Sequence, residues 1–121
     1  MRPHQNLDVW NRSIEFTVEI YEATKDFPSD ERFGLTSQLR RASVSIAANI
    51  AEGAGRKSPK DFLRFLSMAQ GSASETETEL LIGYRLGYMS ESVYEDLSRR
   101  LDDIGRMITG LGRHISKKLD A

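Results

Sequence analysis

The sequence predicts an all-α protein, an antiparallel up-down-up-down four-helix bundle in a single domain. Three observations predict it. Apolar residues recur at the three-and-four spacing of amphipathic helices over four long segments. The breaks between those segments are short and carry proline, glycine or serine where helices stop and start. No run of β-branched residues alternates with period two, and neither Asn-Gly nor Asp-Gly marks a hairpin. A length of 121 residues suits one core, and 39% hydrophobic with 29% charged residues is the profile of a folded helical domain.

The first helix, about 7–26, is predicted from Leu7, Trp10, Ile14, Thr17, Val18 and Tyr21, and it stops where Pro28 disfavours helix at Phe27. The second, about 35–53, follows from Leu35, Leu39, Ala42, Ile46 and Ile50, and Gly53-Ala54-Gly55 offers a left-handed cap. The third, about 59–87, opens on Ser58-Pro59-Lys60-Asp61: a serine cap, proline at the first helical position and a carboxylate three residues after the cap. Phe62, Phe65, Leu66, Ala69, Ala73, Thr76, Leu80 and Tyr84 share its face. Ser90 caps the fourth, about 91–119, whose seam is Leu97, Leu101, Ile104, Ile108, Leu111, Ile115 and Leu119. The expected core is Trp10, Ile14, Tyr21, Leu39, Ile46, Phe62, Phe65, Leu66, Leu97, Leu101, Ile104, Ile108 and Leu111.

Two features exceed a plain bundle. Val9, Phe16, Ile20 and Phe27 form a second apolar stripe on the first helix, roughly 120° from the first stripe at about 100° per residue. The run 42–51 of the second helix carries no charge on any face, and Val44, Ala48 and Ala51 lie opposite its core stripe. Together these seven residues are the expected interface of a homo-oligomer, since a charge-free outward patch is a mark of association. A wide stripe set deep between two neighbouring helices is the other account of the first feature. Asn49, at the flank of the core, needs a hydrogen-bond partner there.

The segment Glu31-Arg32-Phe33-Gly34-Leu35-Thr36-Ser37-Gln38-Leu39-Arg40-Arg41-Ala42, continuing through Ser45-Ile46 to Asn49-Ile50-Ala51-Glu52-Gly53, resembles the signature of bacterial four-helix-bundle proteins encoded in 23S rRNA intervening sequences. Leu7-Asp8-Val9-Trp10 and Phe62-Leu63-Arg64-Phe65-Leu66, with Ala69, Gly71-Ser72 and Glu75, extend the resemblance over most of the chain. That family is in turn similar to the accessory protein of diversity-generating retroelements, a homopentamer thought to bind nucleic acid and a reverse transcriptase. The resemblance implies a homo-oligomer, a pentamer, with no known catalytic activity. The retroelement protein is strongly basic, whereas this chain has net charge −1.

Other chemistry is excluded residue by residue. There is no cysteine, and the two histidines, His4 and His114, have no Glu-x-x-His spacing for a di-iron bundle, so neither metal nor cofactor is expected. Gly53-Ala54-Gly55-Arg56-Lys57-Ser58 lacks the glycine before lysine and the preceding strand of a phosphate loop. Glu75, Glu77 and Glu79 are expected to face solvent or pair with arginines such as Arg41. Asn11-Arg12-Ser13 matches a glycosylation sequon without a secretory context, and no stretch reaches the roughly 20 apolar residues that span a bilayer, so a cytoplasmic site and no membrane are expected.

Two basic clusters are the candidate nucleic-acid contacts: Arg56, Lys57, Lys60 and Arg64 around the turn into the third helix, and Arg99, Arg106, Arg113 and Lys117 along one stripe of the fourth. Glu95, Asp102 and Asp61 are near enough in sequence to balance them. The resemblance, with weaker support from these clusters, implies a non-enzymatic homo-oligomeric bundle that accompanies RNA or DNA, with a protein-interaction scaffold as the alternative.

Overall fold

Four helices account for nearly all of the structure, a computed structural model that describes residues 2–120, with side chains to 119. They are α1 (Asp8–Thr24), α2 (Leu35–Ala54), α3 (Pro59–Arg85) and α4 (Glu91–Asp120). Short 3-10 turns, Pro3–Asn6 and Ser29–Glu31, precede α1 and α2. No strand occurs among the described residues. The helix bounds lie within two residues of the expected ones.

The starts of α3 and α4 are built as their sequences require. Ser58 Oγ accepts the Asp61 N–H at 3.3 Å, and Ser90 Oγ accepts the Val93 N–H at 3.2 Å. The start of α2 is different, because its cap comes from a side chain three residues before Gly34. Glu31 Oε1 accepts the Leu35 N–H at 3.2 Å, while Oε2 accepts the Tyr88 O–H at 2.9 Å, which holds the tyrosine pKa above its usual value. One carboxylate thus ties the α1–α2 connection to the α3–α4 turn. A Cβ on Gly34 would stand 2.6 Å from Glu31 Oε1, so the clamp needs glycine there. The left-handed cap lies not at the end of α2, where Gly55 has φ −82°, but at Gly87, with φ +80°.

Every chain-adjacent pair of helices packs, and α1 closes on α4. Their directions follow from contacts. Thr17 meets Ser43 and Thr24 meets Arg40 across α1 and α2; Ser45 meets Ser72 and Gly53 meets Phe62 and Phe65 across α2 and α3. Across α3 and α4, Tyr84 stacks on Tyr94 at 4.5 Å, Gln70 donates to Gly105 O at 2.8 Å, and Leu63 faces Gly112. In each pair the numbers rise on one helix as they fall on the other, so neighbours run antiparallel. The α2–α3 seam is the most extensive. A Cβ on Gly53 would lie 2.8 Å from Phe65 Cβ and 2.9 Å from Phe62 Cδ1, so this glycine sets how closely the two backbones approach.

Leu39, Ile46, Phe65, Leu66, Leu97, Leu101, Ile104 and Ile108 are buried as expected, and Phe62 and Leu111 pack half-buried against them. On α1 the expectation is reversed. Val9, Phe16, Ile20 and Phe27, expected between subunits, are the core of this subunit, whereas Ile14 and Tyr21 are exposed and Trp10 is half-buried. The reason is visible in Ser13 and Thr24, both buried. Their hydroxyls donate to the carbonyls one turn earlier, Val9 O and Ile20 O, each at 2.7 Å. With that hydrogen satisfied within the helix, both side chains pack as small apolar groups. The true seam is Val9, Ser13, Phe16, Ile20, Thr24 and Phe27, spaced by fours and threes. It reads as an incomplete stripe only when serine and threonine are counted as polar.

Candidate nucleic-acid interface

The antiparallel arrangement places the N-terminus of α1, the end of α2, the start of α3 and the end of α4 at the same end of the bundle. Segments far apart in the chain deliver cations there. Arg56, Lys57 and Lys118 line one groove of about 170 Å³ together with Ser58, Pro59, Phe62 and Ile115. Beside it, Arg2, His4 and Arg56 line a second cleft of about 390 Å³ against Ala48, Ala51 and Glu52. His4 is held there by an edge contact with Trp10, ring centroids 4.8 Å apart.

The cations of this end fall into two kinds. Arg56 and Arg64 lie over the Phe65 ring at 5.0 and 4.7 Å, and they are also bonded to Glu52 (2.7 Å) and Asp61 (3.8 Å) respectively. They cover the core and are partly neutralised. Lys57, Lys60, Lys117 and Lys118 are exposed and join no ion pair among the described residues. These four lysines give the end positive charge held in no ion pair, of the kind that suits a phosphate backbone.

The second expected cluster divides. Arg99 is bound to Asp96 at 2.6 Å and Arg106 to Asp102 at 2.8 Å, so these two are balanced on the surface of α4. Arg100 shares Asp96 at 2.9 Å and feels Glu19 and Glu15 across the α1–α4 seam; its pKa is raised, chiefly by the Asp96 hydrogen bond. Arg113 lines the open α3–α4 groove with Gln70, Glu77 and Thr109. Lys117, in the last turn of α4, lies at the basic end. Arg2 and Lys118 join that end although sequence reasoning did not select them. A pair of lysines in the last turn of α4 was the one available signal for Lys118.

A groove lined by carboxylates lies toward the other end of the bundle. Glu19, Glu22, Asp26 and Asp96 border the groove between the end of α1 and the start of α4. Of these, Glu22 is paired with Lys25 and Asp96 with Arg99 and Arg100, while Glu19 and Asp26 join no ion pair among the described residues.

Of the expected interface, the α2 half lies on the surface: Val44 is 44% exposed, Ala48 is exposed and Ala51 half-buried. The α1 half must be corrected, because Val9, Phe16, Ile20 and Phe27 are enclosed within the subunit. Their place on the surface is taken by Ile14, Val18 and Tyr21, 40%, 54% and 39% exposed. Helical geometry puts these on the side of α1 that borders α2, next to Val44. Arg40 borders the patch, its guanidinium 4.6 Å from the Tyr21 ring and its Nε bonded to Thr24 Oγ1 at 2.9 Å. Phe33, at the entry to α2, is 87% exposed and has Arg32 over its ring at 5.2 Å.

Asn49 is satisfied by Ser45, through its carbonyl at 2.9 Å and its hydroxyl at 3.0 Å, as its position requires. Glu79 departs from expectation. It is buried, one carboxylate oxygen lacks a partner, and no ion pair joins it to Arg41 among the described residues. Nor do three of His, Asp and Glu gather as a metal-binding group among those residues. No described helix is long and apolar enough to cross a membrane.

Comparison with known proteins adds two findings. The family described as 23S rRNA-intervening sequence protein matches residues 5–110. The fold is similar to the crystal structure of a protein of unknown function from the S23 ribosomal protein family of Bacteroides thetaiotaomicron VPI-5482. The TM-score is 0.80 and the identity 29%, over 87% of this chain and 95% of that one. None of the curated proteins matches the sequence.

Proposed function

We propose, from the premise that this chain belongs to the family of 23S rRNA-intervening sequence proteins, that it is a non-enzymatic, homo-oligomeric, nucleic-acid-associated protein of the cytoplasm. The carrying observation is the meeting of Arg56, Lys57 and Lys118 in one groove beside the start of α3, with Arg2 and Lys60 close by. Lysines without carboxylate partners release counterions when they meet phosphates, so the binding they give is tolerant of sequence and steep in salt. RNA and DNA present the same phosphate chemistry to such an end. Self-association would set several copies of it on one strand, and avidity would offset weak single-site binding.

The experiment is binding of the parent to single- and double-stranded RNA and DNA across a salt series. Replacing Lys57, Lys60 and Lys118 by Ala leaves the Arg56 and Arg64 cover of Phe65 intact. It should weaken binding to all sequences about equally and reduce the log–log salt slope by up to about 3. A parent that binds neither RNA nor DNA at low salt, or a variant with an unchanged slope, overturns the reading.

A second reading, a protein-interaction scaffold, is favoured by the exposed apolar face of Ile14, Val18, Tyr21, Val44 and Ala48. A second copy of this chain is the occupant we favour; capture of a different protein by a monomeric parent would replace that choice with the scaffold reading.

A further inference from the structure

Glu79 lies on the side of α3 that faces α2. The residue is 5% exposed, and its Oε1 accepts no hydrogen bond from any described residue. The Ser45–Ser72 bond and the approach of Gly53 to Phe65 set the α2–α3 register. In that register Gln38, Arg41 and Ala42 of α2 stand at the level of Glu75 and Glu79.

None of the cations around it forms an ion pair with it among the described residues. Arg41 is exposed and joins no ion pair among the described residues, and Arg40 turns to Thr24 and Tyr21 of α1. Glu31, in the α1–α2 connection, is held by the Leu35 N–H and the Tyr88 O–H. From α4, Asp102, Arg106 and Arg113 border the groove on the far side of α3, where Glu77 meets them. Glu75, one helical turn before Glu79, remains. Its carboxylate is within hydrogen-bonding reach, and its negative charge opposes a second one beside it. An ionised carboxylate with one oxygen buried and unpartnered is unfavourable beside Glu75, whereas a protonated one donates its hydrogen to the Glu75 carboxylate and leaves one negative charge at the pair in place of two.

We propose that Glu79 is a proton-operated latch of the α2–α3 seam: protonated, it stays between the helices and bonds to Glu75; ionised, it is driven out and loosens the seam. Burial, reinforced by the charge and hydrogen bond of Glu75, raises its pKa from 4.5 to about 7. The folded protein therefore keeps a proton that the unfolded chain has released. The stabilisation is complete below pH 4.5 and is lost as the pH rises to about 7, after which it stays level. Neutral pH falls at the upper edge of that window, where small changes in acidity alter the strength of the seam.

The test follows the Glu79 carboxyl carbon by NMR in the intact protein, together with chemical denaturation of the parent and Glu79→Gln from pH 5 to 8. The carboxyl should titrate near neutrality, and at a lower pH in Glu75→Gln. Relative to Glu79→Gln, the parent's unfolding equilibrium constant should rise close to tenfold per pH unit up to about pH 7. Titration of Glu79 below pH 5, or parallel denaturation profiles for parent and Glu79→Gln, overturns the proposal. Should Glu79→Gln fail to fold, the titration in the parent and in Glu75→Gln decides alone.

Discussion

A single missing methyl group governs how α2 and α3 meet. A Cβ on Gly53 would touch Phe65 Cβ, which is bonded directly to the helix backbone and has no rotamer by which to move away. Gly53→Ala gains helix propensity, about 1 kcal/mol in a free helix, yet overpacking of a tight core costs about 1–3 kcal/mol. The collision should win. Chemical denaturation is expected to find Gly53→Ala less stable than the parent, and a more stable variant would show that the seam can widen at no cost. Gly71, which has nothing within 4 Å of its would-be Cβ, is the control: Gly71→Ala should be stabilising. The sequence shows both positions as glycine within a helix, and only the neighbouring helix distinguishes them. Ser13 and Thr24 teach the same lesson from the polar side, since hydroxyls that bond back along their own helix are buried without loss.

At the scale of elements, α1 is where sequence and structure part. It carries two apolar stripes, and the one with the larger side chains at the surface, Trp10, Ile14, Val18 and Tyr21, looks at first like the core. Packing chose the other because Ser13 and Thr24 complete it, their hydroxyls satisfied within the helix. The consequence is a contrast within one helix. Phe16→Ala should cost about 3–5 kcal/mol, whereas Ile14→Ala should stay within about 0.5 kcal/mol in a monomeric background. Denaturation midpoints of the two variants check it, and a reversed order would restore the stripe that the spacing first suggested. Phe16→Glu should accordingly unfold the subunit rather than separate subunits.

For the whole molecule, the exposed stripe of α1 and the charge-free outer face of α2 form one apolar surface beside Arg40. Apolar area withdrawn from water is worth roughly 25 cal/mol per Å², enough to offset the entropy of association if most of the patch is covered. Self-association through this surface predicts that Val18→Glu with Val44→Glu gives smaller species than the parent while keeping the helical content. Light scattering after size exclusion gives the result: a parent already at 13.7 kDa ends the self-association reading, and an assembly indifferent to both changes moves the interface elsewhere. The basic end belongs to this scale too, because Lys57 and Lys118 are neighbours only once the bundle is closed.

Sequence alone determined what depends on near neighbours in the chain. The four helices, the serine caps at Ser58 and Ser90, the family likeness around Glu31–Gly53 and most of the α2, α3 and α4 core are set by spacings of three and four and by local hydrogen bonds. The tertiary structure decided which stripe of α1 is inside, which arginines are already neutralised, where separate basic segments converge, and that Glu79 is buried without a cation. The reason is physical. Helical periodicity ranks faces by composition, but burial is settled by the shape and charge of whatever lies opposite, and those neighbours are tens of residues away in the chain.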